Sequence, residues 1–378
     1  MYDGESEMTN YVAVMIAVFA VLYFTFIVSE KLYHKKLRHK LTKVIHVNGT
    51  RGKSTVTRLI DAGIRECGFA VASKTTGTVP TFIDVSGTPR VIQRMGPANI
   101  REQLKVLRWA TKQGAQYLVV ECMAVNPELQ YICEHQILNS DITVITNVRE
   151  DHLDEMGPDL ESIAYSLANT VPSDGTVVLG EAQYGEVFRK VADKVGSSVV
   201  IAEPYTGEDC MDTMAENIAT ALQVCRCLNL DEQTFFNGMK KYIRDPGALS
   251  FYKLDDTVFI NAFSVNDPQS TLEVYKSVTV RHPAEEMTIL LNARSDRPFR
   301  IAQHIEMLTQ MTFKKVIITG SNQLYVLKQL QKKGIFAERL TAISQLKQEH
   351  CVFGCGNIAD EGMKITEFFK ANGVETNG

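Results

Sequence analysis

Residues 44–56 constrain the fold of this chain more than any other stretch, because an apolar run there gives way to a glycine-bearing turn. A strand that ends in such a turn and opens a helix at a Lys-Ser pair presents backbone N–H groups, an ammonium and a hydroxyl to one polyphosphate and its magnesium. The pattern therefore predicts that the chain binds ATP. The residues of the loop are Gly49, Thr50, Arg51, Gly52, Lys53, Ser54 and Thr55.

The sequence on both sides favours this interpretation over an ordinary glycine-rich turn before a surface helix. Residues 42–47 predict a short strand. After the loop, apolar residues recur at helical spacing from Val56 to Ile64, until Gly68 offers a C-cap. Strand, loop and helix in this order are the context that a phosphate loop requires.

Length and composition limit the number of domains, the partners and the cellular compartment. With 378 residues, 45% of them hydrophobic and 22% charged, the chain can bury the cores of about two domains of ~150 residues each. A net charge of −4 gives no electrostatic footprint for nucleic acid, so we expect no nucleic-acid partner. The eight cysteines include no Cys-x-x-Cys pair, which favours a reduced, cytosolic main body.

Residues 11–28 form an uncharged apolar run of the length that a helix needs to cross a bilayer. Because basic flanks stay in the cytoplasm, the run predicts a single-pass anchor in the cell membrane, with Met1 outside and the ATP loop inside. The basic residues that follow the run are Lys31, Lys35, Lys36, Arg38, Lys40 and Lys43.

Two alternatives compete with the anchor. A cleaved signal peptide needs a basic start, whereas this chain starts with Asp3, Glu5 and Glu7. A buried core helix stays open as an alternative, although charge follows the run abruptly.

Downstream, short β-rich runs alternate with helical patterns, which predicts a parallel sheet with helices between its strands. Glu121 and Asn147 directly follow two of these strands, at the edge where open α/β sheets bind ligands. A carboxylate at the end of a buried strand needs a cation, so Glu121 is a candidate magnesium ligand; the alternative is a glutamate that reaches water. The predicted strands are 117–120, 142–146, 176–179 and 199–202.

A dense polar cluster follows Asn147 at residues 149–154. Its His152 is flanked by three carboxylates on a strand-end loop, which favours metal or phosphate chemistry over a structural role.

These residues together resemble the signature series of the Mur ligase and folylpolyglutamate synthase superfamily. Enzymes of that superfamily activate a carboxylate with ATP, pass through an acyl phosphate and form an amide. The resemblance covers nearly everything after the membrane segment, although Mur ligases carry a nucleotide-sugar-binding domain ahead of the loop and only the anchor precedes it here. The matching residues are 49–55, Glu121 and 146–154.

A more specific resemblance is to the B subunit of the poly-γ-glutamate synthases of bacterial capsules, the CapB or PgsB type. It implies that glutamate and the growing poly-γ-glutamate are the substrates, for capsule or secreted polymer, and that small membrane proteins are partner subunits. Homo-oligomerisation stays open. The matching blocks are residues 48–58, 74–78, 96–100, 121–127 and 150–158.

The resemblance also implies roles for individual residues. Lys53 would meet the terminal phosphates, Ser54 with Glu121 would hold a first magnesium, and His152 would help to hold a second metal. Arg51 stands where Mur ligases mostly have asparagine. The carbamylated lysine of Mur enzymes is missing, because Leu167 takes its place and no lysine occurs between Asp154 and Lys190.

The C-terminal part predicts a second, smaller α/β domain. Residues 245–247 resemble the linker between the two Mur domains, which gives a three-part division: an anchor segment 1–40, an ATP-binding ligase domain 41–247 and a domain 248–378. Candidate site residues there are Asn266 and Asp267 near the nucleotide, Arg294 as a catalytic residue, Asp296, and the turn 354–357; the alternative for each is a polar loop that caps the next helix. The predicted strands are 258–260, 288–291, 316–319 and 351–353.

Two other functions compete with this one. The first is a Mur or folylpolyglutamate type of ligase that acts on another acceptor. The second is a membrane-anchored, ATP-binding regulator of capsule assembly such as a chain-length tyrosine kinase. That regulator predicts a C-terminal cluster of tyrosines, and the last tyrosine here is Tyr325.

Overall fold

The structure, a computed structural model, describes residues 3–77, 79–94, 96–207, 213–245, 248–265, 268–293, 298–358 and 360–376. The chain forms two compact units, one built mainly from residues 3–76, 80–206 and 215–242 and the other mainly from residues 243–376. The three-part division at residues 40 and 247 stays a prediction.

The first unit is built on a mixed sheet. Its strands are β1 (Lys43–Asn48), β2 (Val71–Thr75), β3 (Thr81–Ile83), β4 (Pro89–Val91), β5 (Tyr117–Glu121), β6 (Ile142–Ile145), β7 (Thr176–Leu179) and β8 (Ser198–Ile201). Among the described residues they form an eight-stranded sheet in the order β4-β3-β2-β5-β1-β6-β7-β8. Strand β3 pairs antiparallel with both β2 and β4, while the other neighbours pair in parallel.

Strand β1 lies in the middle of this sheet and is buried from its second residue onward. Its near-continuous apolar sequence fits a parallel strand that is covered on both faces. In the parallel register Val47 lies beside Glu121 of β5, and Asn48 lies beside Ile145 of β6. The carboxyl ends of the three strands therefore meet at one edge of the sheet, which is defined by Asn48, Glu121 and Ile145.

Helices precede and alternate with the strands of this sheet. They are α1 (Asp3–Arg38), α2 (Lys53–Glu66), α3 (Glu102–Lys112), α4 (Pro127–Ile132), α5 (Leu153–Met156), α6 (Leu160–Leu167), α7 (Gly185–Val195), α8 (Ala215–Cys227) and α9 (Glu232–Met239). Helix α3 packs Val106, Leu107 and Ala110 against apolar residues of β1 and β5. The helix after the loop ends as predicted, because Gly68 adopts φ +86° just past its C-cap.

Helix α1 is long and apolar enough to cross a bilayer by length and composition. The side chains of residues 11–28 are exposed. The alternative of a buried core helix is therefore wrong for this run. The helix continues without a break to Arg38.

The second unit has its own mixed sheet. Its strands are β9 (Ser250–Leu254), β10 (Thr257–Asn261), β11 (Met287–Ala293), β12 (Lys315–Gly320), β13 (Ala337–Arg339), β14 (Cys351–Cys355) and β15 (Val374–Thr376). Its helices are α10 (Pro268–Thr279), α11 (Pro298–Leu308), α12 (Gln323–Lys332) and α13 (Glu361–Asn372). In the described part of the chain the sheet has the order β13-β12-β11-β14-β10-β9-β15, with β9 and β15 antiparallel.

The predicted fold class is confirmed, and every predicted strand is present within two residues of its predicted ends. The sequence patterns missed the short or antiparallel strands β2, β3, β4, β9, β13 and β15. Both sheets are consequently mixed, whereas the pattern predicted a parallel sheet for the first unit.

Candidate active site

The loop between β1 and α2 has a backbone that only glycine fits at two positions. Gly49 has φ +122° and Gly52 has φ +78°, a region that side chains with a Cβ rarely adopt. A Cβ on Gly49 would lie 2.1 Å from Thr146 Oγ1, and one on Gly52 would lie 2.4 Å from Asn217 Oδ1. The loop is therefore held close against the end of β6.

Asn147, the second residue after β6, ties this loop down. Its Oδ1 accepts hydrogen bonds from Thr50 Oγ1 at 2.7 Å and from the backbone N–H of Arg51 at 2.9 Å. Its Nδ2 donates to the Arg51 carbonyl at 3.3 Å, to which Thr146 Oγ1 also donates. The cofactor-binding role of Asn147 stays a prediction, and both the oxygen and the nitrogen of its amide bond the loop.

Lys53 and Ser54 open helix α2 at the loop. Lys53 Nζ donates to the carbonyls of Gly49 at 2.6 Å and Thr50 at 3.2 Å, so the ammonium lies over the loop where a phosphate would be cradled. Ser54 Oγ donates to Glu121 Oε2 at 2.7 Å. The sequence-predicted pair Ser54 and Glu121 is thus brought into direct contact.

Glu121 is the last residue of β5 and is 3% exposed. Its Oε2 also accepts the backbone N–H of Thr76 at 2.6 Å. A serine hydroxyl beside a carboxylate oxygen is the kind of oxygen donor set that magnesium takes from a protein when phosphate oxygens complete its shell. The residues present therefore fit a magnesium ion, and the alternative of a glutamate that simply reaches water does not describe this buried side chain.

The polar cluster after β6 contacts the loop through a hydrogen bond and an ion pair, among other interactions. The backbone N–H of Arg149 donates to Thr50 Oγ1 at 2.9 Å. Arg51 Nη1 lies 3.3 Å from Asp151 Oδ2. The next residue, His152, has φ +46° and ψ +49°, and its Nε2 lies 3.8 Å from Asp151 Oδ1. A left-handed backbone at a residue other than glycine costs free energy of order 1–3 kcal/mol and is found at functional sites more often than elsewhere.

The structure does not assemble all predicted site residues. Among the described residues there is no cluster of three or more His, Cys, Asp or Glu side chains placed for a metal ion. The second metal site at His152 stays a prediction. The candidates Asn266, Asp267, Arg294 and Asp296 lie outside the described residues.

The turn 354–357 has a packing explanation. A Cβ on Gly354 would lie 2.9 Å from the Phe263 ring, and one on Gly356, where φ is +99°, would lie 2.5 Å from the Asn292 carbonyl oxygen. Close packing within the second unit therefore accounts for both glycines.

A buried ion pair that the motifs did not single out lies beside Glu121. Lys74, on β2, is fully buried, and its Nζ lies 3.0 Å from Glu102 Oε1 and 3.6 Å from Met123 Sδ. Burial lowers the pKa of Lys74, and Glu102 opposes that shift. Arg94 also bonds Glu102, at 2.7 Å. A lysine within a strand pattern predicts a surface position. The sequence therefore drew attention to Lys74 only through the block 74–78, which matches the family.

A cavity of about 270 Å³ opens beside the end of β5. Its polar side chains are the amides of Asn99 and Asn126 and the carboxylate of Glu155, and its apolar ones include Ile100 and Met123. Apolar walls with a few convergent polar groups are typical of small-molecule sites. Met123, which lines the cavity, follows Glu121 by two positions in the sequence. Its Sδ is the atom that lies 3.6 Å from Lys74 Nζ.

Replacing Asn147 by alanine tests its role in shaping the loop. The variant Asn147→Ala leaves Thr50 Oγ1 and the Arg51 N–H without this acceptor, so we expect ATP to bind roughly tenfold more weakly, a change of about 1.4 kcal/mol. Titration calorimetry measures the affinity. Asn169→Ala is the control, because Asn169 donates to the carbonyls of Tyr165 and Ser166 in α6, and we expect this variant to bind ATP unchanged. An unchanged affinity in Asn147→Ala would contradict the role.

Comparison with known proteins adds an independent observation. Residues 248–372 match the family model of the poly-gamma-glutamate synthase CapB C-terminal domain, and residues 47–226 match that of the Mur ligase middle domain. The chain is 33% identical over 355 residues to the PGA synthase CapB of Bacillus subtilis (strain 168), covering 87% of this chain and 90% of the relative. It is 30% identical over 372 residues to the capsule biosynthesis protein CapB of Bacillus anthracis, covering 91% and 80%.

The fold also matches solved structures. A bifunctional folylpolyglutamate synthase/dihydrofolate synthase with Mn, AMPPNP and L-glutamate bound superposes with a TM-score of 0.68 at 15% identity, covering 90% of this chain and 92% of that chain. At this identity the likeness shows the fold alone.

Proposed function

The chain belongs to the CapB family of poly-γ-glutamate synthases, and from that premise we propose that it polymerises glutamate through γ-linkages for capsule or secreted poly-γ-glutamate. The family and the Mur ligase fold make the chain an ATP-dependent amide ligase. The observation that carries the finer proposal is the contact of Ser54 with Glu121 at the start of α2, beside a loop shaped for phosphate.

The proposed reaction has two steps. A carboxylate oxygen of glutamate attacks the γ-phosphorus of ATP, ADP leaves, and an acyl phosphate forms. The amino group of the second reactant then attacks the carbonyl carbon and loses a proton, and inorganic phosphate leaves with one of the original carboxylate oxygens. No nucleophilic side chain is needed, so the protein contributes positioning and charge stabilisation.

Several residues of this chain would stabilise the phosphates. The loop N–H groups and Lys53 would hold the terminal phosphates, and Arg51 would add a fixed cation beside them. Ser54 and Glu121 would hold magnesium, and His152 would help to hold a second metal without a carbamylated lysine. Magnesium, when bound, supplies charge neutralisation on the phosphate oxygens. The folylpolyglutamate synthase with this fold binds Mn, AMPPNP and L-glutamate, which supports these assignments.

The cavity beside β5 would take the glutamyl end of the acceptor. Its volume of about 270 Å³ suits a glutamate side chain and backbone. The amides of Asn99 and Asn126 offer hydrogen bonds to carboxylates, and Ile100 and Met123 contact methylene groups. Because Glu121 ends the strand that leads into this cavity, a carboxylate held there would face the loop.

We also propose that α1 anchors the chain in the cell membrane with both units in the cytoplasm. The support is the exposed apolar run 11–28 and the basic residues that follow it. Small membrane proteins would be its partner subunits.

The experiment is an incubation of membranes that contain the chain and its partners with ATP, magnesium and labelled glutamate. We expect labelled polymer, with one ADP formed for each new amide bond. Competing acceptors, including folate-like and cell-wall-like molecules, serve as controls. The proposal would be contradicted if the rate of ATP turnover did not depend on glutamate. It would also be contradicted if labelled glutamate became attached to another acceptor.

A further inference from the structure

The buried ammonium of Lys74 contacts two separate segments of the first unit. It lies 3.0 Å from Glu102 Oε1, on the first residue of α3, and 3.6 Å from Met123 Sδ, two residues past the end of β5. Lys74 itself is 0% exposed on β2. An ammonium is rarely taken out of water unless it is paired, because its desolvation costs free energy. The two contacts therefore hold the start of α3 and the end of β5 at a fixed spacing.

Both of these segments belong to the lining of the cavity beside β5. Met123 lines the cavity with its own side chain, and Asn99 and Ile100 line it just before α3. The backbone N–H of Glu102 donates to the Asn99 carbonyl at 2.9 Å, and that of Gln103 donates to the Ile100 carbonyl at 3.0 Å. Part of the lining is thus tied to the carboxylate that the buried ammonium holds.

A second cation fixes the orientation of Glu102. Arg94 Nε donates to Glu102 Oε2 at 2.7 Å, and Arg94 Nη2 donates to Glu102 Oε1 at 3.0 Å. Paired hydrogen bonds of this kind between guanidinium and carboxylate are strong and geometrically specific. Because Lys74 shares Oε1 with Arg94, both oxygens of the carboxylate are engaged and its position is well defined.

The same segments also hold Glu121. The backbone N–H of Thr76, two residues after Lys74, donates to Glu121 Oε2 at 2.6 Å. Gln103 Nε2 donates to the Glu121 carbonyl at 3.3 Å. The cavity lining and the proposed magnesium ligand therefore belong to one connected network, with Lys74 behind the lining.

We propose that Lys74 is a positioning residue that sets the spacing of the cavity lining, and through it the chain length of the dicarboxylate that the cavity accepts. This step rests on the proposed function, in which the cavity takes the glutamyl end of the acceptor. There Ile100 and Met123 contact the methylene groups, and Lys74 ties the segments that carry these two side chains. A pocket distinguishes ligands that differ by one methylene by roughly 10–200-fold. The ligand class is a γ-glutamyl dicarboxylate whose end residue has two side-chain methylene groups.

The test compares two dipeptides on the full chain in detergent micelles. One is γ-glutamylglutamate, and the other ends in 2-aminoadipate, which is one methylene longer; each is used with its end residue in the D and in the L form. Titration calorimetry with ADP and magnesium present measures the dissociation constants. We expect the unaltered chain to prefer the glutamate dipeptide.

The variant Lys74→Met removes the ammonium and keeps an unbranched side chain. We expect the preference for the glutamate dipeptide to fall by about tenfold, because the lining can then part by the width of a methylene group. The affinity for ADP should stay unchanged, since no contact of the phosphate loop is altered. Lys105→Met is the matched control, because Lys105 is an exposed lysine on α3, and it should keep the full preference.

A second variant keeps the test decisive if Lys74→Met does not fold. The double variant Lys74→Met with Glu102→Met removes both charges of the buried pair, and replacing a buried ion pair by apolar side chains is often neutral for stability. Arg94, whose side chain is 26% exposed, can then reach water. Thermal unfolding followed by circular dichroism checks the fold, and the same loss of preference is expected.

An unchanged preference in a folded Lys74 variant would overturn the proposal, because the residue would then only stabilise the fold. An unaltered chain that binds both dipeptides equally, or neither, would overturn it as well. These readouts are binding constants, so they are independent of catalysis. If the preference falls as expected and the unaltered chain forms no polymer, the proposed function fails while the role of Lys74 stands. If polymer forms and the preference is unchanged, the role of Lys74 fails while the proposed function stands.

Discussion

Lys53→Ala should reduce glutamate-dependent ADP formation by about 10³-fold while the fold is kept. The substitution removes the ammonium that would meet the terminal phosphates, and electrostatic groups of this kind contribute roughly 3–4 kcal/mol to transition states. It removes little buried apolar area, since Lys53 bonds only the loop carbonyls of Gly49 and Thr50 among the described contacts. A coupled assay for ADP measures the effect.

Lys190→Ala is the matched control, because Lys190 is an exposed lysine on α7 of the same unit. It should retain full activity. If purified Lys53→Ala formed polymer at the rate of the unaltered chain, the loop would not be the phosphate site.

His152→Ala should keep ATP binding and lose glutamate-dependent phosphate release by about 10²-fold or more. The nucleotide contacts of the loop survive in this variant, whereas the proposed stabilisation of the acyl-phosphate transition state does not. Activity should depend steeply on magnesium but not on bicarbonate, because no lysine lies between Asp154 and Lys190 to carry a carbamate. Nucleotide titration and a phosphate assay on the same preparation separate binding from turnover.

His135→Ala is the control for that variant, because His135 packs on the Tyr131 ring away from the loop. Unaltered turnover in His152→Ala would make His152 a structural residue. Lost ATP binding would instead mean that the loop and the cluster after β6 form one inseparable site.

The sequence was sufficient to predict the loop and its neighbours because their chemistry restricts the residue types. Glycines at positions 49 and 52, an apolar strand before them and polar residues at two strand ends are all visible in the order of residues. In the structure Ser54 donates a hydrogen bond to Glu121, while their predicted role as magnesium ligands stays a prediction. Parallel strands bring their carboxyl ends to one edge, so this contact follows from the predicted fold.

Other features could not be predicted because they depend on contacts between distant parts of the chain. The sequence did not predict strand β2, because its Lys74 is a residue type typical of the surface. In the structure Lys74 is buried in contact with Glu102 and Met123. The pairing of Glu30 with Arg101 joins residues 71 positions apart, and no periodicity predicts it. The left-handed backbone of His152 could not be predicted either, because histidines adopt this conformation more readily than most residues but still uncommonly.

We propose that this chain forms amide bonds through an acyl phosphate of glutamate, and the fate of the carboxylate oxygen tests this step. The incubation described above is repeated with glutamate that carries ¹⁸O in its γ-carboxylate, and the inorganic phosphate is analysed by mass spectrometry. We expect one ¹⁸O atom in phosphate for each new amide bond. Amide bonds formed without ¹⁸O in phosphate, or with ¹⁸O in AMP, would contradict it.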